Sequence, residues 1–417
     1  MKTLCKNNTY LFIIVIVMKS IRELYIIGHG PSSSHTMGVG FACNFILEKY
    51  KNIKEITVIL YGSLALTGKG HLTDYIIKET FKDYKVNIEF NFTKNMSHPN
   101  VMEFIIIDNL NAIHKEKIIS IGGGSIKVVG RKNNNKSIDI YPHKYLKEIL
   151  EYCKNENITL VEYVKRFEDK DIVKYMEKIY LTMENTKKIG LSKEGLLPGK
   201  LKVMRKASLM NKRASSLKNN AENDIKTKIA ITSFAVAEEN ASGGVVVTAP
   251  TCGSAGVLPG TITYCEELKV SHEAIIDGLL VAGLFGILAK VNGSVSGAEC
   301  GCQAEIGVAS AMGASLIATA LKFSNEGIAQ AAEIALEHSL GLTCDPVCGY
   351  VQIPCIERCA MYALKAVDAV TLASLLPYKE SKVTFDDILK TMYLTGKDIK
   401  KEYKETSISG LAKIIKE

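Results

Sequence analysis

The sequence predicts an α+β protein, with a small α/β domain near the N-terminus joined to a larger all-helical domain. Three observations carry this. Short runs rich in β-branched residues fall before residue 125, a Lys-, Asn- and Glu-rich stretch with helical spacing fills 130–228, and Ala, Gly, Ile and Leu dominate long helical stretches from 229 onward. The expected organisation is therefore an α/β domain over 18–150, a helical connector region over 151–228, and a helical domain over 229–417.

In chain order, the opening "MKTLCKNNTYLFIIVIVMKS" has an early Lys and then an apolar run from Leu11 to Met18, like the core of a signal peptide, without a small-residue cleavage site. That run is far shorter than the ~20 apolar residues that span a bilayer. Residues 1–17 are read as an extension upstream of a functional start at Met18, and a cytoplasmic location is expected. "EITVILYGS" (55–63), "EFIIID" (103–108) and "IISIGGG" (118–124) read as strands, and the segments after Thr36 and after Thr73 read as helices. Further on, "GLLVAGLFGILAK" (278–290) is bracketed by Asp277 and Lys290 and is too short for a membrane span, so a buried helix is expected. Small residues in this region let helices approach closely and leave the chemistry to the loops.

Composition narrows the function. The chain has 417 residues, 47% hydrophobic and 23% charged, which is ordinary for a globular protein with a sizeable core. Its net charge of +8 is spread among acidic residues, not gathered into basic runs with aromatic partners, and Trp is absent, so no nucleic-acid partner is expected. Eleven cysteines, an odd number unevenly spread, argue against a disulfide framework and for a reducing compartment.

Several stretches carry chemistry. "GHGPSSSHTMG" (28–38) sets Ser32, Ser33, Ser34, His35 and Thr36 ahead of a helix, where free N–H groups and hydroxyls make an anion cradle. "LYGSLALTGKGHLTD" (60–74) exposes Lys69 and His71 in a glycine-rich turn, and an imidazole there is suited to general-base work. His98 lies in the turn "MSHPN", and Gly122, Gly123 and Gly124 offer backbone amides to a ligand. "VVVTAPTCGSAGVLPG" (245–260) adds Thr248 and Thr251 in a second anion-friendly loop, and "SGAECGCQAEIG" (296–307) places Cys300 and Cys302 near a helix start. Finally, "GLTCDPVCGYVQIPCIERC" (341–359) packs Cys344, Cys348, Cys355 and Cys359 closely enough for a structural zinc clip.

Taken together and in this order, "GPSSSHT", "LYGSLALTGKGH", "HPN", "SIGGG", "EGLLPG", "EENASGG", "TAPT", "GCQAEIG" and "LGLTCDPV" with "VQIPCIER" resemble the iron-sulfur-dependent L-serine dehydratases. The resemblance runs from about Met18 onward and matches the single-chain form, in which a β-type domain precedes an α-type domain, here 151–417. It implies a [4Fe-4S] cluster held by Cys302, Cys344 and Cys355, with Cys348 and Cys359 as bystanders. It also implies L-serine as substrate, a homodimer, and His35, His71 and His98 in the active site. His71 is the expected base for the α-proton, with His35 and His98 supporting it. Ser32, Ser33, Ser34, Thr36, Lys69, Gly122–Gly124, Thr248 and Thr251 are the expected substrate-binding positions. An iron with an open position would act as the Lewis acid that makes hydroxide a competent leaving group.

Two departures from the family stand out. Leu72 follows His71 where relatives often have Gly, and no Cys stands at Glu417, where many single-chain relatives place a fourth cluster ligand. Tail-dependent activation is therefore not expected. The competing readings are an enzyme acting on another small β-substituted amino acid such as L-cysteine or L-threonine, a pyridoxal-phosphate enzyme using Lys69, and a zinc-stabilised binding protein without activity.

Overall fold

The computed structural model describes residues 18–94, 96–98, 100–131, 139–216 and 221–415. The expected N-terminal extension lies outside the described residues up to Met18. The chain opens with β1 (Met18–Lys19) and β2 (Ile27–His29), followed by α1 (Gly38–Lys49), β3 (Ile53–Tyr61), the short α2 (Ser63–Thr67) and α3 (Thr73–Thr80). Four strands come next: β4 (Lys85–Asn91), β5 (Val101–Asp108), β6 (Ile113–Gly122) and β7 (Ser125–Val128), with β8 (Asp139–Tyr141) beyond them. Helices then take over as α4 (Leu146–Glu156), α5 (Leu160–Phe167), α6 (Ile172–Ser192), α7 (Ala207–Ala214) and α8 (Ala221–Ala241). After β9 (Val245–Val247) run α9 (Val257–Glu267), α10 (His272–Asn292), α11 (Gly297–Cys300), α12 (Val308–Ala320), α13 (Asn325–Glu337), α14 (Cys355–Leu375), α15 (Phe385–Asp398) and α16 (Leu411–Ile414). The α+β class holds, with a small sheet domain preceding a larger helical body.

The sheet domain follows from its alternation. In β3, Ile56, Val58 and Leu60 are buried while the intervening Glu55, Thr57 and Ile59 are partly exposed, so one face turns inward and the other toward solvent. The sheet order is β4-β3-β5-β6-β7. The β3–β4 pair, joined through α2 and α3, is parallel, and the others are antiparallel. A crossover of that length can reach a parallel neighbour where a tight hairpin cannot. Val39, Ile46, Ile76 and Ile77 of α1 and α3 close the inner face over Ile56, Phe104 and Ile118.

The helical body packs around α10 and α12, whose small and apolar residues are buried almost throughout. Alone among the described helices, α10 is long and apolar enough to cross a membrane, yet 78% of its apolar window is buried against the rest of the chain. It is a core helix, as expected, although at 21 residues it is longer than the 278–290 run that reads as too short for a span. The segment Met18–Tyr25 belongs to this core: Ile21 and Tyr25 are fully buried, and the Tyr25 hydroxyl donates to the Leu279 carbonyl at 2.9 Å. Gly283 makes this approach possible, since a Cβ there would stand 2.9 Å from both Ile21 and Tyr25. The Glu168 carboxylate ties the same segment down, accepting from Ser20 Oγ, Ile21 N–H and the Tyr141 hydroxyl at 2.7–2.8 Å.

The far end of the body closes through Phe285 of α10, fully buried and edge-on to Phe385 of α15 with ring centroids 4.9 Å apart. Phe285→Ala is expected to destabilise the chain by about 3–5 kcal/mol, read as a lower urea midpoint with an unchanged slope.

Candidate active site

Backbone turns and buried side-chain hydrogen bonds together assemble the cysteine loops. After α11, Gly301 takes φ 75°, and Gln303 on the following π-turn donates to the carbonyls of Cys300 and Met392 while accepting from Gly341 N–H at 2.9 Å. One buried amide therefore fixes the 341–344 loop beside Cys302. Cys344 is then held by the segment after α15: its N–H donates to the Tyr403 carbonyl at 2.8 Å, and its carbonyl accepts from Glu405 N–H at 2.6 Å. Leu411 N–H donates to Asp345 at 2.7 Å, so residues 403–411 lie as a strap across the loop. Cys355 opens α14, and Arg358 one turn later donates to the Thr343 carbonyl at 2.8 Å and lies 3.7 Å from Asp345.

Cys302 and Cys344 are buried and hydrogen-bonded to each other, and Cys355 is close enough for the Cys302 charge to act on it. The hydrogen bond from Cys344 and the nearby Arg358 guanidinium pull the Cys302 thiol down toward thiolate. Cys344 is held up by that same bond and by burial, and Cys355 by burial. Glu305 Oε2 lies 3.8 Å from Cys344 Sγ, and burial raises this carboxyl. Space is tight: a Cβ at Gly297 would sit 2.4 Å from Glu305 Oε2 and 3.2 Å from Cys344 Sγ. All ten described cysteines are free thiols. Cys359 turns away to donate to the Gly253 carbonyl at 3.3 Å, Cys348 sits partly exposed at φ 52°, and no group of three or more His, Cys, Asp or Glu among the described residues is spaced for a single metal ion.

Over these loops lies the "GKGH" turn. A Cβ at Gly70 would stand 3.1 Å from the Gly349 carbonyl, so only glycine allows the turn this close. His71 is 1% exposed, and its Nδ1 lies 3.1 Å from the Thr67 carbonyl, which can only accept. In the neutral ring Nδ1 therefore carries the proton and Nε2 the lone pair. Nε2 is buried with no hydrogen-bond partner, and 3.9 Å away lies Oε1 of Glu405, whose carboxyl is pushed up to about 8 by burial and by the charges of Glu305 and Cys302. The His35 ring stacks on it at 4.7 Å between centroids and is pinned by Ser34 Oγ at 2.8 Å and Ser63 Oγ at 2.9 Å. Burial lowers His71 to about 4, and burial together with the His71 charge lowers His35 well below its usual range, so both rings are neutral at pH 7. A buried, unpartnered lone pair close to a segment paired with the Cys344 loop is an arrangement for taking a proton.

Residues 101–412 match the serine dehydratase alpha chain family and residues 20–86 match the serine dehydratase beta chain family. The chain belongs to the serine dehydratase family. Among its relatives, the L-serine dehydratase of Haemophilus influenzae is 36% identical, covering 95% of this chain and 99% of the relative. That of Helicobacter pylori strain 26695 is 38% identical with the same coverage, and L-serine dehydratase 1 of Escherichia coli K12 is 36% identical, again over 95% and 99%. The beta-then-alpha order in one chain is as expected. His35 and His71 fall in the beta-chain match and the cysteines in the alpha-chain match, so this serine dehydratase builds its candidate site across the two.

The remaining predicted residues divide. Ser32 caps the π-turn by accepting from His35 N–H at 3.2 Å, Ser33 is buried in it, and Thr36 Oγ1 donates to the His71 carbonyl at 2.5 Å. These residues fix the two imidazoles relative to each other. Thr251 is hydrogen-bonded to Glu305, next to the cysteines. Thr248 is committed elsewhere, donating to the Leu24 carbonyl and accepting from Ile26 N–H. Lys69 is exposed with Nζ over the Phe90 ring at 5.4 Å, which removes the anchor a pyridoxal-phosphate reading needs. Gly123 and Gly124 take φ 58° and 78° in the turn after Gly122, and a Cβ on Gly124 would meet Met37 at 3.1 Å, so close packing onto the helix start accounts for this glycine. His98 accepts from Asn100 N–H at 3.1 Å and is not placed against the other two imidazoles. Leu72 adopts φ 54° and ψ 31°, the left-handed conformation that glycine takes freely, so this chain holds the turn after His71 with about 1 kcal/mol or more of backbone strain. Glu305 was visible only as a nearby acid; Ser63, Arg358 and Glu405 were not singled out from sequence.

Proposed function

We propose that the chain is an L-serine ammonia-lyase, converting L-serine to pyruvate and ammonia. The observation that carries this is the buried, unpartnered Nε2 of His71, 3.9 Å from Glu405, whose backbone N–H is bonded to the Cys344 carbonyl. The residues fit a [4Fe-4S] cluster: three free thiols brought together beneath a cationic Arg358, with the other two neighbouring thiols turned aside. Cys302, Cys344 and Cys355 would hold it, and when bound it would supply the Lewis acidity that makes a β-hydroxyl a competent leaving group.

The protein's own groups do the rest. His71 Nε2 accepts the α-proton, while the Thr67 carbonyl keeps Nδ1 protonated and the ring oriented. His35, held by Ser34 and Ser63, stacks behind His71 and keeps it in place. Arg358 offsets the charge of the thiolates, and the strap of residues 403–411 holds the Cys344 loop in place. Loss of the α-proton and of the β-hydroxyl gives 2-aminoacrylate, which tautomerises and hydrolyses to pyruvate and ammonia. A homodimer in a reducing cytoplasm completes the reading; the free thiols support the compartment and the family resemblance supports the dimer.

Anaerobic purification of the chain from Met18 tests this. About four irons and four sulfides per chain, pyruvate formed from L-serine, and activity lost in air are expected. One zinc, no sulfide and no turnover would overturn it.

A further inference from the structure

The outer face of the five-stranded sheet has the wrong residues for a face turned to water. α1 and α3 close the inner side, and the alternate positions of β3, β5 and β6 point the other way, where polar side chains are expected. Six of these positions hold isoleucine: Ile59, Ile105, Ile107, Ile113, Ile119 and Ile121. Ile113 and Ile121 are 64% and 51% exposed, and none of the six joins a hydrophobic cluster among the described residues. An apolar surface of this extent, left unpacked, marks an interaction face.

The charges on this face are sorted by side. β5 is the middle strand of the order β4-β3-β5-β6-β7. Glu55 and Glu89 stand on β3 and β4, and Lys115 and Lys127 stand on β6 and β7, all in register with the outward isoleucines or their neighbours. Lys85 on the acidic side is tied to Glu55 at 3.0 Å, and Lys117 on the basic side to Glu103 of β5 at 3.7 Å. Lys115 and Lys127 are exposed and form no ion pair among the described residues. A half-turn about a line along β5, lying in the plane just outside this face, exchanges the two sides. It sets β6 and β7 of one copy over β3 and β4 of another, so the unpaired lysines meet the acidic side twice, once in each direction. The face is complementary to itself.

We propose that a second copy of this chain docks on the outer face of the sheet, sheet on sheet, about a two-fold axis running along β5. This rests on the homodimer reading above and gives it a surface. Sheets packed in this way keep their strands roughly aligned, ~10 Å apart, with the apolar side chains of both inner faces interdigitated. The contact is isologous, since the same patch serves both copies. Its area suffices: five strands ~4.8 Å apart and ~25 Å long give a face of ~600 Å² per copy. Two such faces bury ~1,200 Å², the lower end of the range for stable specific interfaces. The isoleucines supply the apolar centre, and the lysines and glutamates fix which way round the sheets meet.

Sedimentation velocity of the anaerobically purified full chain over a concentration series tests this, with far-UV circular dichroism on every sample. The wild-type chain is expected to sediment as a dimer. Ile105→Asp, which sets a charge at the centre of the face, is expected to weaken the dimer by about 100-fold or more with an unchanged dichroism spectrum. Two charge-reversed chains provide the second arm, one carrying Lys115→Glu and Lys127→Glu and the other Glu55→Lys and Glu89→Lys. Each alone is expected to dimerise at least about 10-fold more weakly than wild type, and an equimolar mixture to regain wild-type dimer, because each reversed side then meets its opposite. This arm stands whether or not Ile105→Asp folds. A wild-type chain that stays monomeric overturns both the homodimer reading and this surface. A dimer unmoved by the substitutions, or a mixture no stronger than its components, overturns the surface and leaves the homodimer and the serine dehydratase reading in place.

Discussion

Cys302→Ser is expected to lose essentially all iron, sulfide and pyruvate formation, at least 10³-fold in turnover, while Cys348→Ser keeps all three. The contrast follows from where each thiol points. Cys302 is buried, hydrogen-bonded to Cys344, and the one thiol of the three drawn toward its thiolate form. A serine hydroxyl stays protonated where the thiol would ionise, so it cannot replace a thiolate ligand. Cys348 sits partly exposed, and neither the Cys302 nor the Arg358 charge interactions include it. Zinc held by the four neighbouring cysteines would reverse the pattern, because Cys302 is not needed for it and Cys348 is. Metal and sulfide analysis of the two purified variants distinguishes the cases, and an unfolded Cys348→Ser beside a loaded Cys302→Ser would sink the iron-sulfur reading.

His71→Ala is expected to lower kcat by about 10²–10⁴ with iron and sulfide content unchanged, the range typical for removing a positioned general base. Nothing in the cysteine loops depends on the His71 side chain for its hydrogen bonds, which run through Gln303, Tyr403, Glu405 and Arg358. Loss of rate without loss of metal is therefore the signature of a proton-transfer role. His35→Ala should cost less, because His35 acts through its stacking on His71 and its bonds to Ser34 and Ser63. A His71→Ala chain that lost iron in proportion to its activity would make the residue structural.

The elements were readable in the sequence where a local pattern decides the structure. β3 and β5 are rich in β-branched residues, α10 is marked by flanking charges, and the serine run sits at a helix start, as the hydroxyls and free amides predicted. Less readable was anything decided by distant pairing. Lys69 has the right type and turn for a ligand contact, yet β4 supplies Phe90 beneath it and draws it away. Thr248 looks like a free loop hydroxyl until Leu24 and Ile26, more than two hundred residues earlier, use both its donor and its acceptor. Glu405 lies sixty-one residues from Cys344 in a segment with no motif chemistry of its own. Only the backbone pairing of that segment with the cysteine loop gives it a place. His98 is placed in the active site by resemblance, and the contact seen for it is the Asn100 N–H within its own turn.

The burial of Met18–Tyr25 in the helical body has a consequence for biosynthesis. The Tyr25 hydroxyl bonds Leu279, 254 residues later, and Gly28 pairs with Val246. At roughly 5–20 residues per second, the segment leaves the ribosome on the order of 10–50 s before its partner is made. Throughout that interval Ile21, Leu24 and Tyr25 lack α10, the helix that finally covers them, although Glu168 and Tyr175 can hold the segment before then. The nascent chain thus carries a waiting apolar arm, a natural handle for a general chaperone, and maturation of the catalytic body is timed by the synthesis of α10 and not by the order in which its parts appear.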